Sequence, residues 1–416
     1  MKKNILLVVV DCLRADFIYA DRGAKTLTIS KLRKEGYSFL NTIAATSTTT
    51  PSFAALLTGF YPFENGIRSL SGHTLKKGIK ILPELLKEAG YHTYAEVTGP
   101  LTREAGLDMG FKEYNYRDKK MTVHTAWGEE FIERFRKGHY KEPYFVLLHV
   151  WPLHEPRAIL EECNNDEHGR EPYGRALSSI DKYLGRLLRN IGEDTVVILT
   201  GDHGEQIEDF GLGALYKRGY SLFFKGIKKL KLINTPFAKG VRDYQIGHGY
   251  GVYDILVKIP LIFHNTGLPA GESGRQVRQI DTASTILDIA GIGGVVNQHG
   301  KSLLPLMENK KEEERDAYIE ATGMIIPDKN EWIAGIRTEK YKYMYYPFKE
   351  EYCDELYDLE NDPCERKNIA DSNRETVSML RKKIESLKAE SLTGEEINGE
   401  DLEKMKKRLA DLGYFD

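Results

Sequence analysis

Cysteine is scarce in this chain of 416 residues: there are four, Cys12, Cys163, Cys353 and Cys364, with no CxxC pair among them. That excludes a zinc ribbon built on cysteine pairs and a small disulfide-stapled scaffold. Free thiols in a reducing, cytoplasmic setting are the expectation. An excess of charge of one sign is also missing, because 59 basic residues face 62 acidic ones and leave a formal charge of -3. No global imbalance points to nucleic acid or to a membrane surface. Long hydrophobic runs are absent as well. The apolar run Ile5–Val10 behind Lys2 and Lys3 ends at Asp11 and Arg14, too short for a secretory leader or a membrane span, and reads as a buried strand. The length exceeds one ordinary core, so a large domain with a smaller appendage is expected.

What is present is an alternation. Short apolar runs at Ile5–Val10, Thr93–Val97, Tyr144–His149, Thr195–Thr200 and Pro260–His264 are interleaved with helical periodicities at Ile79–Ala89, Tyr173–Asn190 and Ala283–Ala290. This pattern predicts an α/β fold with a mostly parallel sheet sandwiched by helices. From about Ala317 the character changes: the strand-like stretch around Tyr341–Tyr346 and charged helical patterns from Arg374 onward predict a smaller antiparallel sheet with terminal helices. The expected division is a catalytic domain over residues 1–312 and a C-terminal subdomain over 313–416. The tail Asp401–Leu409 reads as a solvated surface helix.

In sheets of this kind ligands gather outside the carboxyl ends of the strands. Three of those ends are polar: Asp11 follows the first run, His154 lies beyond Tyr144–His149, and Gly201, Asp202, His203, Gly204 and Glu205 follow Thr195–Thr200. Carboxylate and imidazole at one sheet edge suit a divalent metal, although Asp11 alone reads as well as a cap or turn residue. A second feature is Thr46–Ser52 ahead of the apolar helical pattern Phe53–Leu57. Pro51 favours the first helical position, which makes Thr50 the expected N-cap and puts Thr49 just before the helix. A hydroxyl there faces unpaired backbone N–H groups and the positive end of the helix dipole, where an alkoxide or anion is stabilised. Taken alone, the segment reads equally as a capping loop.

Four stretches in this order, Val8–Asp16 (VVVDCLRAD), Thr49–Gly59 (TTPSFAALLTG), Thr200–Glu205 (TGDHGE) and Gly247–Leu261 (GHGYGVYDILVKIPL), resemble the sulfatase branch of the alkaline phosphatase superfamily. Glu355–Ala370 is similar to the family's C-terminal turn. The resemblance implies an alkaline-phosphatase-like fold and a nucleophile at Thr49 bound to a divalent ion (Mn, Zn, Mg or Ca) with Asp11, Asp202 and His203. It further implies that His154 and His248 contact the substrate anion or protonate the leaving group, with a second metal as the alternative partner of His248.

Departures from the family pattern carry the chemistry further. Where sulfatases hold a Cys or Ser that becomes formylglycine, this chain has Thr49, and where they hold an Arg two residues after the proline it has Phe53. Threonine cannot become an aldehyde, so the gem-diol nucleophile is unavailable. A phosphothreonine can be cleaved by metal-assisted attack of water, which favours phosphate mono- or diesters over sulfate esters. Cys12 replaces the usual second carboxylate, and His203 stands where sulfatases commonly carry Asn. Val150 occupies the place of the aspartate that would serve a second ion in nucleotide phosphodiesterases, so unless Glu155 substitutes a second ion is poorly supplied; one tightly held ion is expected and a second is left open. The anion clamp of the family is missing, because the strand at Thr93–Val97 runs into Thr98, Gly99 and Pro100.

Residues 211–242 contain eight basic side chains and no acidic one. This insertion is expected to act as a lid, with Lys225 and Lys228 as substrate-anion contacts; a solvated basic helix and a contact with anionic lipid are the other readings. The leading expectation is a metal-dependent phosphoric ester hydrolase acting on a small anionic ester. The alternatives are a sulfatase without formylglycine, a phosphoryl or head-group transferase, and a non-catalytic binding homologue. No feature sets an oligomeric state.

Overall fold

Ile5–Val10 is apolar at every position because both faces of its strand are covered. In the computed structural model, which describes residues 2–207, 248–293, 299–323, 332–348 and 354–389, β1 (Asn4–Val10) sends Ile5, Leu7 and Val9 into one core and Leu6, Val8 and Val10 into another. Each such side chain, fully buried, contributes roughly 1.5–3 kcal/mol. The other strands of this sheet are β2 (Tyr37–Ile43), β3 (His92–Val97), β4 (Glu113–Tyr116), β5 (Tyr144–Val150), β6 (Thr195–Gly201), β7 (Lys258–His264) and β8 (Gly271–Arg278). Their order is β4-β3-β5-β1-β6-β7-β2-β8. All neighbours run parallel except β7, which is antiparallel to both β6 and β2. The mixed α/β sheet with helices on both faces is as expected.

Helices Thr49–Thr58, Leu82–Glu88 and Asp281–Ile289 pack on one face through Phe53, Leu56, Leu82, Leu86, Ile286 and Leu287. Helices Leu27–Glu35, Ala126–Arg136 and Pro172–Leu188 cover the other through Ile29, Phe131, Leu177 and Tyr183. Strands β2 and β8 escaped the sequence pattern because β8 is an edge strand whose first half faces solvent and β2 carries polar Ser38, Asn41 and Thr42.

A second, antiparallel sheet follows, β12-β11-β10-β9, from β9 (Ala317–Ala321), β10 (Ile333–Arg337), β11 (Tyr341–Tyr345) and β12 (Glu355–Asp358). Helix Arg374–Ala389 lies on it, burying Val377, Leu380 and Ile384 against Ala334, Ile336, Tyr343 and Leu356. Lys342, wholly buried in β11, pairs with Asp254 and Glu365 at 2.6 Å each and so ties this sheet to the segment leading into β7. No helix among the described residues is long and apolar enough to cross a membrane.

One local expectation is corrected. The helix starts at Thr49 with Thr48 as N-cap, not after a Thr50 cap, and the Ser52 N–H donates to the Thr48 carbonyl at 3.1 Å. Pro51 is tolerated in the third helical position because first-turn N–H groups have no intrahelical acceptor. The basic insertion 211–242, with Lys225 and Lys228, lies outside the described residues, as do Cys353 and the tail Asp401–Leu409.

Candidate active site at the strand ends

Strand register assembles the site. Val10 of β1 stands beside Gly201 of β6 and Val9 beside His149 of β5, so Asp11 and Asp202 leave adjacent strands at the same level with His149 alongside. The Asp11 N–H continues the ladder to the Val150 carbonyl at 2.9 Å. Cys12 then adopts a left-handed backbone (φ 59°), a conformation non-glycine residues rarely take. Its N–H donates to Asp202 Oδ1 at 3.1 Å and its carbonyl accepts from the Tyr173 hydroxyl at 2.6 Å. Those two bonds fix the bend that aims the Asp11 and Cys12 side chains inward.

Thr49, the first residue of its helix, places Oγ1 3.3 Å from Asp11 Oδ2 and 3.3 Å from His203 Nε2. All three side chains are buried, and the helix N-terminus points its positive end at the hydroxyl. His203 Nδ1–H donates to the Gly204 carbonyl at 2.8 Å, which leaves Nε2 of the neutral ring with a lone pair. That lone pair faces Asp202 Oδ2 at 3.4 Å, and Asp202 Oδ2 has no hydrogen-bond donor. Two acceptors held face to face in a buried pocket is an arrangement that a cation resolves. Asp11, Asp202, His203 and the Thr49 hydroxyl therefore fit a divalent ion by donor chemistry as well as by position.

The electrostatics agree. Burial works to raise the Asp11 carboxyl, but the hydrogen bond from His149 and the neighbouring imidazoles outweigh it and hold the group well below the usual carboxylate range. Asp202 is pushed far up by burial and by the Asp11 charge. Burial raises Glu205 to about 7, opposed by Arg157. His149, His203 and His248 are all pushed down by burial. Carboxylates thus outnumber cationic partners inside the pocket, which disfavours ionising all of them without a bound cation.

Of the residues singled out from sequence, Asp11, Thr49, Asp202 and His203 converge. His248 joins them, its ring 4.3 Å from that of His203, and His154 stands further out, 5.6 Å from His248 and stacked on Trp151 at 4.2 Å. Glu155 pairs with Arg157 and is half-exposed, so it does not take the place of an inward-facing carboxylate. The missing clamp also has a physical counterpart. Trp151 presses on Gly99, where a Cβ would lie 2.3 Å from a ring carbon, so the indole fills the space above that strand end.

His149 was not anticipated. Its Nε2 lies 3.1 Å from Asp11 Oδ2, and Phe53, at the position of the family's arginine, packs edge-on against its ring at 4.9 Å. The available signal was one polar side chain in the otherwise apolar strand Tyr144–Val150.

Residues 3–292 match the family model for Sulfatase, and residues 250–390 match that for N-sulphoglucosamine sulphohydrolase, C-terminal. The chain is 24% identical over 423 residues to the Delta 4,5-hexuronate-2-O-sulfatase of Bacteroides thetaiotaomicron, covering 89% of this chain and 85% of the relative. It is 26% identical over 374 residues to the N-acetylgalactosamine-6-sulfatase of Canis lupus familiaris, covering 73% of this chain and 66% of the relative. In fold it is similar to the phosphonate monoester hydrolase of Agrobacterium radiobacter, with a TM-score of 0.71, 18% identity, and 94% of this chain and 96% of that one covered.

Proposed function

The chain belongs to the sulfatase family, and from that premise we propose that it is a metal-dependent hydrolase of phosphate mono- or diesters whose nucleophile is Thr49. The observation that carries this reading is the Thr49 hydroxyl at a helix N-terminus, 3.3 Å from Asp11 and from His203, at the position where formylglycine chemistry needs Cys or Ser. A divalent ion held by Asp11, Asp202, His203 and Thr49 would supply a Lewis acid that lowers the hydroxyl's pKa and holds developing negative charge.

The remaining work falls to the chain itself. Thr49 Oγ1 forms a bond to phosphorus as the bond to the ester oxygen breaks, and the hydroxyl proton passes to solvent. The backbone N–H groups at the start of the Thr49–Thr58 helix offset the negative charge that accumulates there. His248 orients the ester oxygens and His154 protonates the departing alkoxide. Water then attacks phosphorus, releasing phosphate from a monoester substrate or a phosphate monoester from a diester, and restoring the threonine hydroxyl. Three described cysteines, Cys12, Cys163 and Cys364, are free thiols, in keeping with a reducing, cytoplasmic setting.

A second reading, a sulfatase working through unmodified threonine, is favoured by the relatives, whose names are those of sulfatases. A threonine sulfate would have to be hydrolysed by attack at sulfur, since it cannot eliminate sulfate as a hemiacetal does. A parallel screen of p-nitrophenyl phosphate, bis-p-nitrophenyl phosphate, a phosphonate monoester and p-nitrophenyl sulfate, each with Mn, Zn, Mg and Ca, separates the two. Turnover of sulfate alone would overturn the phosphoric ester reading.

A further inference from the structure

Beside the donor set just described lies a second cluster of different chemistry. Cys12 Sγ, the His203 ring and the His248 ring present ligand atoms all within 4.8 Å of one another, and every one of these residues is buried. Glu205 closes the group: its Oε2 lies 3.6 Å from Cys12 Sγ and 4.0 Å from His248 Nε2. The other oxygen, Oε1, is buried with no hydrogen-bond partner, although the side chain is only 4% exposed as a residue. Cys12 belongs to the apolar core on that side of the sheet, but its thiol also faces Asp11 Oδ1 at 2.9 Å, Glu205 and an imidazole. The nearby cation, Arg157, is drawn off by Glu155.

We propose that Cys12, Glu205 and His248 hold a second, thiophilic divalent ion next to the Asp11–Asp202 site, with one coordination position left open. Three protein ligands with one open position is the arrangement of catalytic rather than structural zinc. Sulfur and imidazole select Zn or a similar borderline ion over Mg or Ca, while the oxygen-rich neighbouring set does not discriminate in that way. On binding, the Cys12 thiol loses its proton to solvent and the thiolate lone pair forms the metal–sulfur bond. His203, whose Nε2 lone pair is turned to Asp202 and Thr49, stays with the first ion and separates the two. The replacement of a family carboxylate by Cys12 thus changes the ligand chemistry of the pocket instead of merely deleting a ligand.

The test uses chelator-stripped full-length protein carrying Cys364→Ser to remove the exposed thiol, titrated with Co²⁺ and followed by absorbance and elemental analysis. The expected result is two ions per chain and a near-ultraviolet thiolate-to-cobalt charge-transfer band. Cys12→Ser is expected to abolish the band and leave one ion bound. A stoichiometry of one, no band, or a band that survives Cys12→Ser overturns the proposal. X-ray absorption at the zinc edge of the unmutated, zinc-loaded protein decides independently of any folding defect: a sulfur shell at about 2.3 Å averaging one sulfur per two zinc ions supports the site, and a shell of only nitrogen and oxygen overturns it. The proposal rests on the single-ion reading only for its neighbour. Asp202→Asn losing one ion while keeping the band would separate failure of one site from failure of the other.

Discussion

His149 donates from Nε2 to Asp11 Oδ2 over 3.1 Å, and neither side chain has any exposed surface. In the family an arginine stands where this chain has Phe53, and here the imidazole, braced by the Phe53 ring edge, supplies the donor to the site's first carboxylate. The Arg117 guanidinium in turn donates to the His149 carbonyl, which anchors the end of β5.

His149→Ala is expected to weaken binding of the ion at Asp11 by about 10–100-fold, the usual effect of losing a group that orients a ligand. Because a buried carboxylate then lacks its partner, stability should also fall by roughly 1–3 kcal/mol. Competitive chelator titration and urea unfolding of the stripped protein read the two effects separately. Unchanged metal affinity would remove His149 from the site.

Thr49→Ala should lower kcat/KM on the best ester by at least about 10³-fold, as removal of a nucleophile does, while leaving the fold intact. Rapid quench with a labelled phosphoester is expected to trap phosphate on the wild-type chain and none on the variant. Full activity in Thr49→Ala would end the nucleophile assignment.

Lys342 is a stability prediction far from the chemistry. Lys342→Ala leaves the buried Glu365 without its cation while Asp254 keeps Arg337 at 2.8 Å, and should cost about 3 kcal/mol. Denaturant midpoints at neutral pH provide the measurement. A shift under 1 kcal/mol, of the order of a surface pair, would mean solvent reaches this network.

His124 sets an acid limit. Burial, aided by Arg186, lowers it from 6.5 to about 4 against a weaker pull from Glu162, and neither ring nitrogen has a hydrogen-bond partner. Since the folded pKa is depressed, the unfolded chain binds the extra proton first. The stabilising contribution of the neutral ring is complete above pH 6.5 and is lost as pH falls toward 4. The full difference is about 3 kcal/mol. His124→Gln should flatten the stability profile in that window, and an unaltered slope between pH 6.5 and pH 4 would assign the acid sensitivity elsewhere.

Much of this protein was legible because two periodicities are simple to read. Five strands and three helices follow from runs such as Ile5–Val10 and Tyr173–Asn190, where burial on one or both faces imposes an apolar pattern. Asp11, Asp202 and His203 were legible for a related reason: they sit at or just beyond the end of such a run, where the backbone leaves its strand, while Thr49 stands at the start of a helix ahead of the apolar pattern Phe53–Leu57. Strands β2 and β8 were not, since a polar edge removes the contrast on which the pattern depends. The placement of the helix start at Thr49 was missed by two residues because proline's preference for the first position is weak against tertiary packing.

The sequence by itself therefore determined the α/β class, the strand ends that matter and the absence of a formylglycine precursor at residue 49, because those depend on local pattern and residue identity alone. Only the tertiary structure decided which polar groups meet. The pairing of Val9 with His149 and Val10 with Gly201, a matter of strand register, brings together Asp11, His149 and Asp202 from three distant segments. The left-handed turn at Cys12, held by Asp202 and Tyr173, then aims a thiol at Glu205 and His248. Register and that bend are set by contacts between strands, so no reading of one strand at a time contains them.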